Sequence, residues 1–395
     1  MKKENQNKSI QPANRLNNVS EYYFSRKNKE VAELNAQGKD IISLGIGSPD
    51  RPPMPEAIDV LCEEAKKDNV HGYQPYVGIP ELRTGFAEWY KKWFKVDLDP
   101  KTEIQPLIGS KEGILHITLA FVNPGEQVLV PDPGYPTYTS LSNILGAEVV
   151  HYDLNEEGGW LPNFEELEKL DLSKVKLMWT NYPHMPTGTK ANYELFEKLY
   201  EFGKKHNIII INDNPYSFVL NDEQLSILSV PGAKSHCIAM NSMSKSHNMA
   251  GWRVGMIASN ADFISSILKV KSNVDSGTFR PIQLAAVRAL KAEQDWYDSI
   301  NEVYAKRRKV AGQIMDALNC SYSKDQVGMF VWGRIPDKYE DVEDLTEKLL
   351  HEARTFITPG FIFGKNGARY IRITLCNTEE NLKEALRRIK SINLE

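Results

Sequence analysis

The stretch Ile208-Ile209-Ile210-Ile211-Asn212-Asp213-Asn214-Pro215-Tyr216 decides the fold. Four consecutive isoleucines offer no polar face. A strand over Ile208 to Asn212 must therefore be covered on both sides, the condition of a strand inside a parallel sheet flanked by helices. The run ends in Asp213-Asn214-Pro215-Tyr216, and the carboxyl end of such a strand is where an open α/β sheet presents groups to a ligand.

Similar short apolar runs occur on either side, at Ile104 to Ile108, Gln127 to Val130, Glu148 to Tyr152, Val175 to Thr180, Cys237 to Asn241 and Val254 to Ala258, with helical patterns between them. This alternation predicts an α/β domain with a mostly parallel seven-stranded sheet sandwiched by helices. Upstream, Ile41-Ile42-Ser43-Leu44 reads as a strand entering the turn Gly45-Ile46-Gly47-Ser48-Pro49-Asp50, whose glycines allow close backbone approach to a ligand. Pro80 opens an amphipathic helix to about Phe94. Beyond Lys271 long helices at Pro281 to Leu290 and Ala292 to Leu318 precede strands near Met329 to Arg334 and Arg369 to Leu375. Asn377 and Glu380 form a capping-box pattern for a last helix. This portion reads as a smaller α+β C-terminal domain.

A single core stops growing at roughly 250 to 300 residues, so 395 residues fit two packed domains. The expected division is an arm over 1–44 that joins the small domain, a large domain over 45–280 and a small one over 281–395. With 41% hydrophobic residues, 25% charged residues and a net charge of −4, the composition is that of a soluble globular protein and not of a basic nucleic-acid binder. Cys62, Cys237, Cys320 and Cys376 form no C-x-x-C pair, so neither a disulfide framework nor a metal site is expected, and a reduced cytoplasmic setting follows. Met1 to Asn18 is polar without an apolar core and reads as a mobile arm, and no apolar run approaches the length of a membrane span.

The stretch Asn241-Ser242-Met243-Ser244-Lys245-Ser246-His247-Asn248-Met249-Ala250-Gly251-Trp252-Arg253-Val254-Gly255 packs small hydroxyls around one lysine. A nucleophilic lysine must lose its proton near neutral pH, and a fixed cation or a dry pocket lowers its pKa from about 10.4. Arg253 can supply that cation and bind a phosphate through two N–H groups. Alone, a lysine in a Ser-rich loop is more often solvated. The same holds for the other candidates. Gly109-Ser110-Lys111-Glu112-Gly113 follows a strand and opens a helix, which suits a phosphate or an ordinary N-cap. Tyr135 lies on the loop after the next strand, where surface packing is common. Asp213 could simply cap its strand. In Ala368-Arg369-Tyr370-Ile371-Arg372-Ile373-Thr374-Leu375 the period of two sets Arg369 apart from Arg372.

In order and spacing, these motifs resemble the class I/II, fold-type I pyridoxal-phosphate aminotransferases, whose lysine motif reads Ser-x-Ser-Lys followed shortly by Gly-Trp-Arg-x-Gly. The resemblance runs from about Tyr22 to the C-terminus. It implies that Lys245 carries pyridoxal 5′-phosphate as a Schiff base and acts as the base, with Ser110, Lys111, Ser242, Ser244 and Arg253 around the cofactor. It also implies that Tyr135 stacks on the pyridine ring, Asp213 pairs with the ring nitrogen, Tyr216 bonds the ring O3′ and Arg372 clamps the substrate α-carboxylate. Gly47 would lie against substrate, with Tyr22 and Arg280 as further contacts. Tyr73, in His71-Gly72-Tyr73-Gln74-Pro75-Tyr76, would reach the phosphate of a partner subunit, which implies a homodimer with shared sites. The expected activity is transfer of an amino group between an L-amino acid and a 2-oxo acid. A C–S β-lyase on the same fold is the alternative, and a non-catalytic cofactor-binding regulator ranks lower because the chain before the core is too short for a helix-turn-helix domain.

One departure stands out. The family reads Asn-x-Pro-x-Asn-Pro-Thr-Gly, whereas this chain reads Asn181-Tyr182-Pro183-His184-Met185-Pro186-Thr187-Gly188. Met185 replaces an asparagine that donates to O3′, and a thioether has no N–H to give. The Schiff base should then hold its proton more tightly.

Overall fold

The computed structural model describes residues 10–19, 21 and 23–394. Its strands are, in chain order, β1 (Ile42–Ser43), β2 (Ile104–Leu107), β3 (Gln127–Asp132), β4 (Glu148–Asp153), β5 (Val175–Thr180), β6 (Ile209–Asn214), β7 (Cys237–Ser242), β8 (Gly255–Ala258), β9 (Phe330–Arg334), β10 (Thr355–Phe356), β11 (Thr358–Pro359) and β12 (Tyr370–Thr374). Seven of them form one sheet in the order β2-β8-β7-β6-β5-β3-β4. Only β8 runs against its neighbours β2 and β7, and the other pairings in the sheet are parallel.

The isoleucine run shows why the sheet is sandwiched. Ile208 and Ile210 pack with Leu195, Phe196 and Leu199 of the helix Tyr193–His206 on one face. Ile211 packs with Ile114 and Ile117 of the helix Ser110–Phe121 and with Ile264 and Ile267 of the helix Ala261–Lys271 on the other. Successive side chains of a strand point to opposite faces, so an unbroken apolar run fills both layers.

The second core lies around the antiparallel sheet β11-β12-β9 and the helices Gln294–Ala317 and Glu379–Ser391. The strand read over Ile41 to Leu44 is shorter than expected, and β1 pairs in parallel with β10, outside the large sheet. The helix Tyr23–Ala36 is tied to the same region, where buried Lys27 bonds Glu30 at 2.8 Å and also bonds Glu347. The last helix is capped by Thr378, whose Oγ1 accepts from Asn381 N at 3.1 Å, and not by Asn377. Asn377 instead donates to the Ser43 carbonyl at 3.1 Å, joining that cap to β1.

Asn14–Asn18, within the stretch read as a mobile arm, forms a short 3-10 helix against the helix Pro136–Ile144. All four cysteines are unpaired, and no helix of the described residues is long and apolar enough to cross a membrane.

Candidate active site

The carboxyl ends of the sheet strands meet the second core around a cavity of about 690 Å³. β6 brings Asp213, β7 brings Ser242, and a single helical turn over Met243–Ser246 follows at once, with Ser242 Oγ accepting from Ser244 N at 3.1 Å. That turn presents Lys245 to the cavity. β12 supplies Arg372 from the opposite side.

The cavity is lined by Gly47, Ser110, Lys111, Tyr135, Met185, Asp213, Tyr216, Ser242, Ser244, Lys245, Arg253 and Arg372. These twelve residues, scattered over the sequence, are therefore brought together. Tyr73 is 92% exposed and takes no part in its own chain's cavity. Arg280 pairs with Glu81 at 3.1 Å and does not line the cavity of its own chain. Tyr22 lies outside the described residues.

Two backbone turns gain their shape from the cations beside them. Gly109 has φ +75°, and a Cβ there would lie 2.0 Å from the Arg253 guanidinium. No side chain fits, so Arg253 packs against the turn that opens the helix Ser110–Phe121. Arg253 itself sits at φ +58° and donates to the Ala250 carbonyl at 2.8 Å. In the other turn the Gly45 carbonyl accepts from Arg372 at 2.8 Å, and the Gly47 carbonyl accepts from Lys245. A Cβ on Gly47 would fall 2.2 Å from the Phe330 ring. The turn is held from behind by Arg307, which grips both oxygens of Asp50 at 2.7 and 2.6 Å.

The charge balance favours an anion. Lys245, Arg253, Arg372 and Lys111 face a cavity in which Asp213 is the sole carboxylate among the described lining residues. Burial lowers the pKa of Lys245 below the ordinary lysine value. Cys376 opposes that shift, and the Arg372 and Arg253 cations add to it. Arg253 was the cation expected from the sequence, but burial matters most and Arg372 precedes it. Asp213 is pushed up to about 6 by burial, against a hydrogen bond from Tyr138 Oη at 2.9 Å. Its other oxygen, Oδ1, is buried and has no hydrogen-bond partner among the described residues. Leaving such an acceptor unmatched costs free energy, about 1 to 3 kcal/mol. A protonated ring nitrogen is the kind of donor it lacks.

Arg372 is buried, and its guanidinium lies 3.9 Å from the Phe330 ring centre and 4.6 Å from that of Phe363. Its Nη1 contacts Met185 Sδ at 3.2 Å. A planar cation between aromatic rings is fixed in orientation and partly dry, which strengthens its hold on a carboxylate.

Some site residues escaped the sequence reading. Tyr138 bonds Asp213 and stacks on Trp179 with ring centres 4.9 Å apart. Its signal was present, since Pro136 opens a helix and Tyr138 lies three residues after Tyr135, on the same face. Phe330 and Phe363 gave no such signal, because each reads as an ordinary core aromatic. Asn181 holds the Met185 segment, accepting from Met185 N at 2.9 Å while its own amide donates to the Asp213 carbonyl.

Comparison with known proteins agrees with this geometry. The chain is 41% identical over 383 residues to the LL-diaminopimelate aminotransferase of Maridesulfovibrio salexigens, covering 96% of this chain and 98% of that one. It is 39% identical over 377 residues to the enzyme of the same name from Dehalococcoides mccartyi, covering 95% and 97%. Among solved structures, apo BacF from Bacillus subtilis superposes with a TM-score of 0.93 at 35% identity, covering 98% of both chains. The profile of aminotransferase class I and II matches residues 39–389. The chain belongs to that pyridoxal-phosphate-dependent family and is an aminotransferase.

Proposed function

We propose that this aminotransferase binds pyridoxal 5′-phosphate covalently through Lys245 Nζ and uses the twelve cavity residues in the roles implied by their family resemblance. The observation that carries the reading is the buried, unmatched Asp213 Oδ1, which fits a protonated ring nitrogen. The Gly109 turn, the first helical N–H groups after it and Arg253 fit a phosphate. Tyr135 lies in the cavity wall as a ring that can stack on a heterocycle. When bound, the cofactor supplies an electron sink for negative charge at the substrate Cα.

The chain's own groups do the rest. Arg372 binds the α-carboxylate, and Phe330 and Phe363 exclude water from that contact. Lys245 Nζ takes the proton from Cα, which its lowered pKa favours near neutrality. Asp213 keeps a proton on the ring nitrogen, and Tyr216, buried beside Phe330, bonds the ring oxygen. The active form is a homodimer in the cytoplasm, with the exposed Tyr73 reaching the partner's phosphate. LL-diaminopimelate, named in the relatives, is the first amino donor to test.

Borohydride reduction of the holoenzyme followed by peptide mapping tests the covalent link. The label is expected on Lys245, and a label on another lysine would overturn the assignment. In the Met185→Asn variant the visible absorption of the cofactor is expected to titrate at lower pH. A hydrogen bond worth about 0.5 to 1.5 kcal/mol corresponds to a shift of about 0.5 to 1 pH unit. An unchanged titration would show that the missing amide is not what sets the proton balance.

A further inference from the structure

We propose that Lys271 is a positioning residue for the cofactor phosphate, acting through a buried Glu112–Lys271–Asp275 network that no cavity residue belongs to. The inference rests on the phosphate assignment made above. Lys271 is only 2% exposed, and its ammonium bonds Glu112 Oε1 at 2.9 Å and Asp275 Oδ2 at 2.5 Å. His116 Nε2 lies 2.8 Å from the same Glu112 oxygen. Glu112, His116 and Asp275 converge as ligands of a cation do, and the ammonium of Lys271 bonds the two carboxylates among them.

Glu112 reaches the site directly. Its Oε2 accepts from Ile108 N at 2.5 Å, so the carboxylate holds the chain one residue before Gly109. It also stands in the first turn of the helix whose N-terminus faces the cavity. Burial would raise the Glu112 pKa, but His116, Asp275 and Lys271 together keep it well below the usual range, so it is ionised. An uncompensated carboxylate there would repel a phosphate at the same helix end. Lys271, shared with Asp275, offsets that charge while letting the carboxylate hold the turn.

The network's other end reaches a second wall. Asp275 Oδ1 accepts from Gly277 N at 2.8 Å. Gly277, at φ +82°, lies so close to the Gln74 carbonyl that a Cβ would be 2.5 Å from it. Gln74 follows Tyr73, so one ammonium supports both the phosphate turn of its own chain and the segment assigned to the partner's phosphate.

The test compares affinities of the full-length, cofactor-stripped protein for pyridoxal 5′-phosphate and for pyridoxal, which lacks the phosphate. Lys271→Met is expected to weaken binding of the phosphorylated form by about tenfold or more, leave pyridoxal affinity within about twofold, and regain the wild-type ratio in Lys271→Arg. A ratio unchanged in Lys271→Met, or equal losses for both ligands, would overturn the positioning role. If Lys271→Met does not fold, Lys271→Met/Asp275→Asn removes one of the two orphaned charges and reads the same ratio. A wild-type protein that does not prefer the phosphorylated form would overturn the phosphate assignment itself.

Discussion

The Lys245→Ala variant is expected to lose transamination by at least about a thousandfold, the middle of the range for removal of a positioned proton-transfer group. The expectation follows from placement. Lys245 lines the cavity together with the guanidiniums of Arg253 and Arg372, and its ammonium donates to the Gly47 carbonyl. Lys29 also lines the cavity, but its ammonium is held by exposed Glu21 at 2.7 Å. The fold should survive the change. A lysine whose pKa is lowered by folding destabilises the folded state while it remains protonated, so its removal does not lower stability at neutral pH. Melting of the cofactor-free variant at pH 7 should match or exceed wild type. Substantial amino-group transfer by a folded Lys245→Ala protein would remove the lysine from its assigned role.

Asp213→Asn should separate stability from function. An aspartate ordinarily titrates near 3.8, and burial moves this one to about 6. Between those values the unfolded chain has released a proton that the folded protein retains. Raising the pH through this window therefore costs stability, and above it the full penalty of about 3 kcal/mol stands. The neutral asparagine avoids that penalty and can still accept from Tyr138. The cofactor-free variant is expected to gain about 2 to 3 kcal/mol at pH 7.5 and nothing near pH 3.5. Its transamination should fall by at least about a hundredfold, since no carboxylate then pairs with the ring nitrogen. Denaturant unfolding at several pH values, with activity measured in parallel, reads both effects. A variant with the wild-type stability profile would show that Asp213 is not strained in the folded protein. One with wild-type activity would remove it from the site.

Local pattern located Asp213 at the end of an apolar strand and Lys245 in the turn just after one, and the resemblance to the aminotransferase family supplied their expected roles. Arg372 was separable from Arg369 for a similar reason: the strand period puts them on different paths, and Arg369 indeed bonds backbone carbonyls at Tyr339, Glu340 and Pro336. The partner of Arg280 in its own chain could not be read locally, because Glu81 comes from a helix nearly two hundred residues away. The cap at Thr378 was missed by one residue, a difference that hydrogen bonds settle and residue type does not.

The sequence by itself determined the α/β class and the seven sheet strands, since these depend on hydrophobic period, and the order and spacing of its motifs, through the family they resemble, pointed to most groups around the cavity. Only the tertiary structure decided the electrostatics. The elevated pKa of Asp213 comes from burial, which outweighs the opposing hydrogen bond from Tyr138, that of Lys245 is lowered chiefly by burial, and Arg372 meets Met185 and Phe330 across more than forty residues of chain. The Glu112–Lys271–Asp275 network belongs to the same category, because 159 positions separate Glu112 from Lys271. Desolvation and charge pairing are properties of neighbours in space, and no local period encodes which distant segment will supply them.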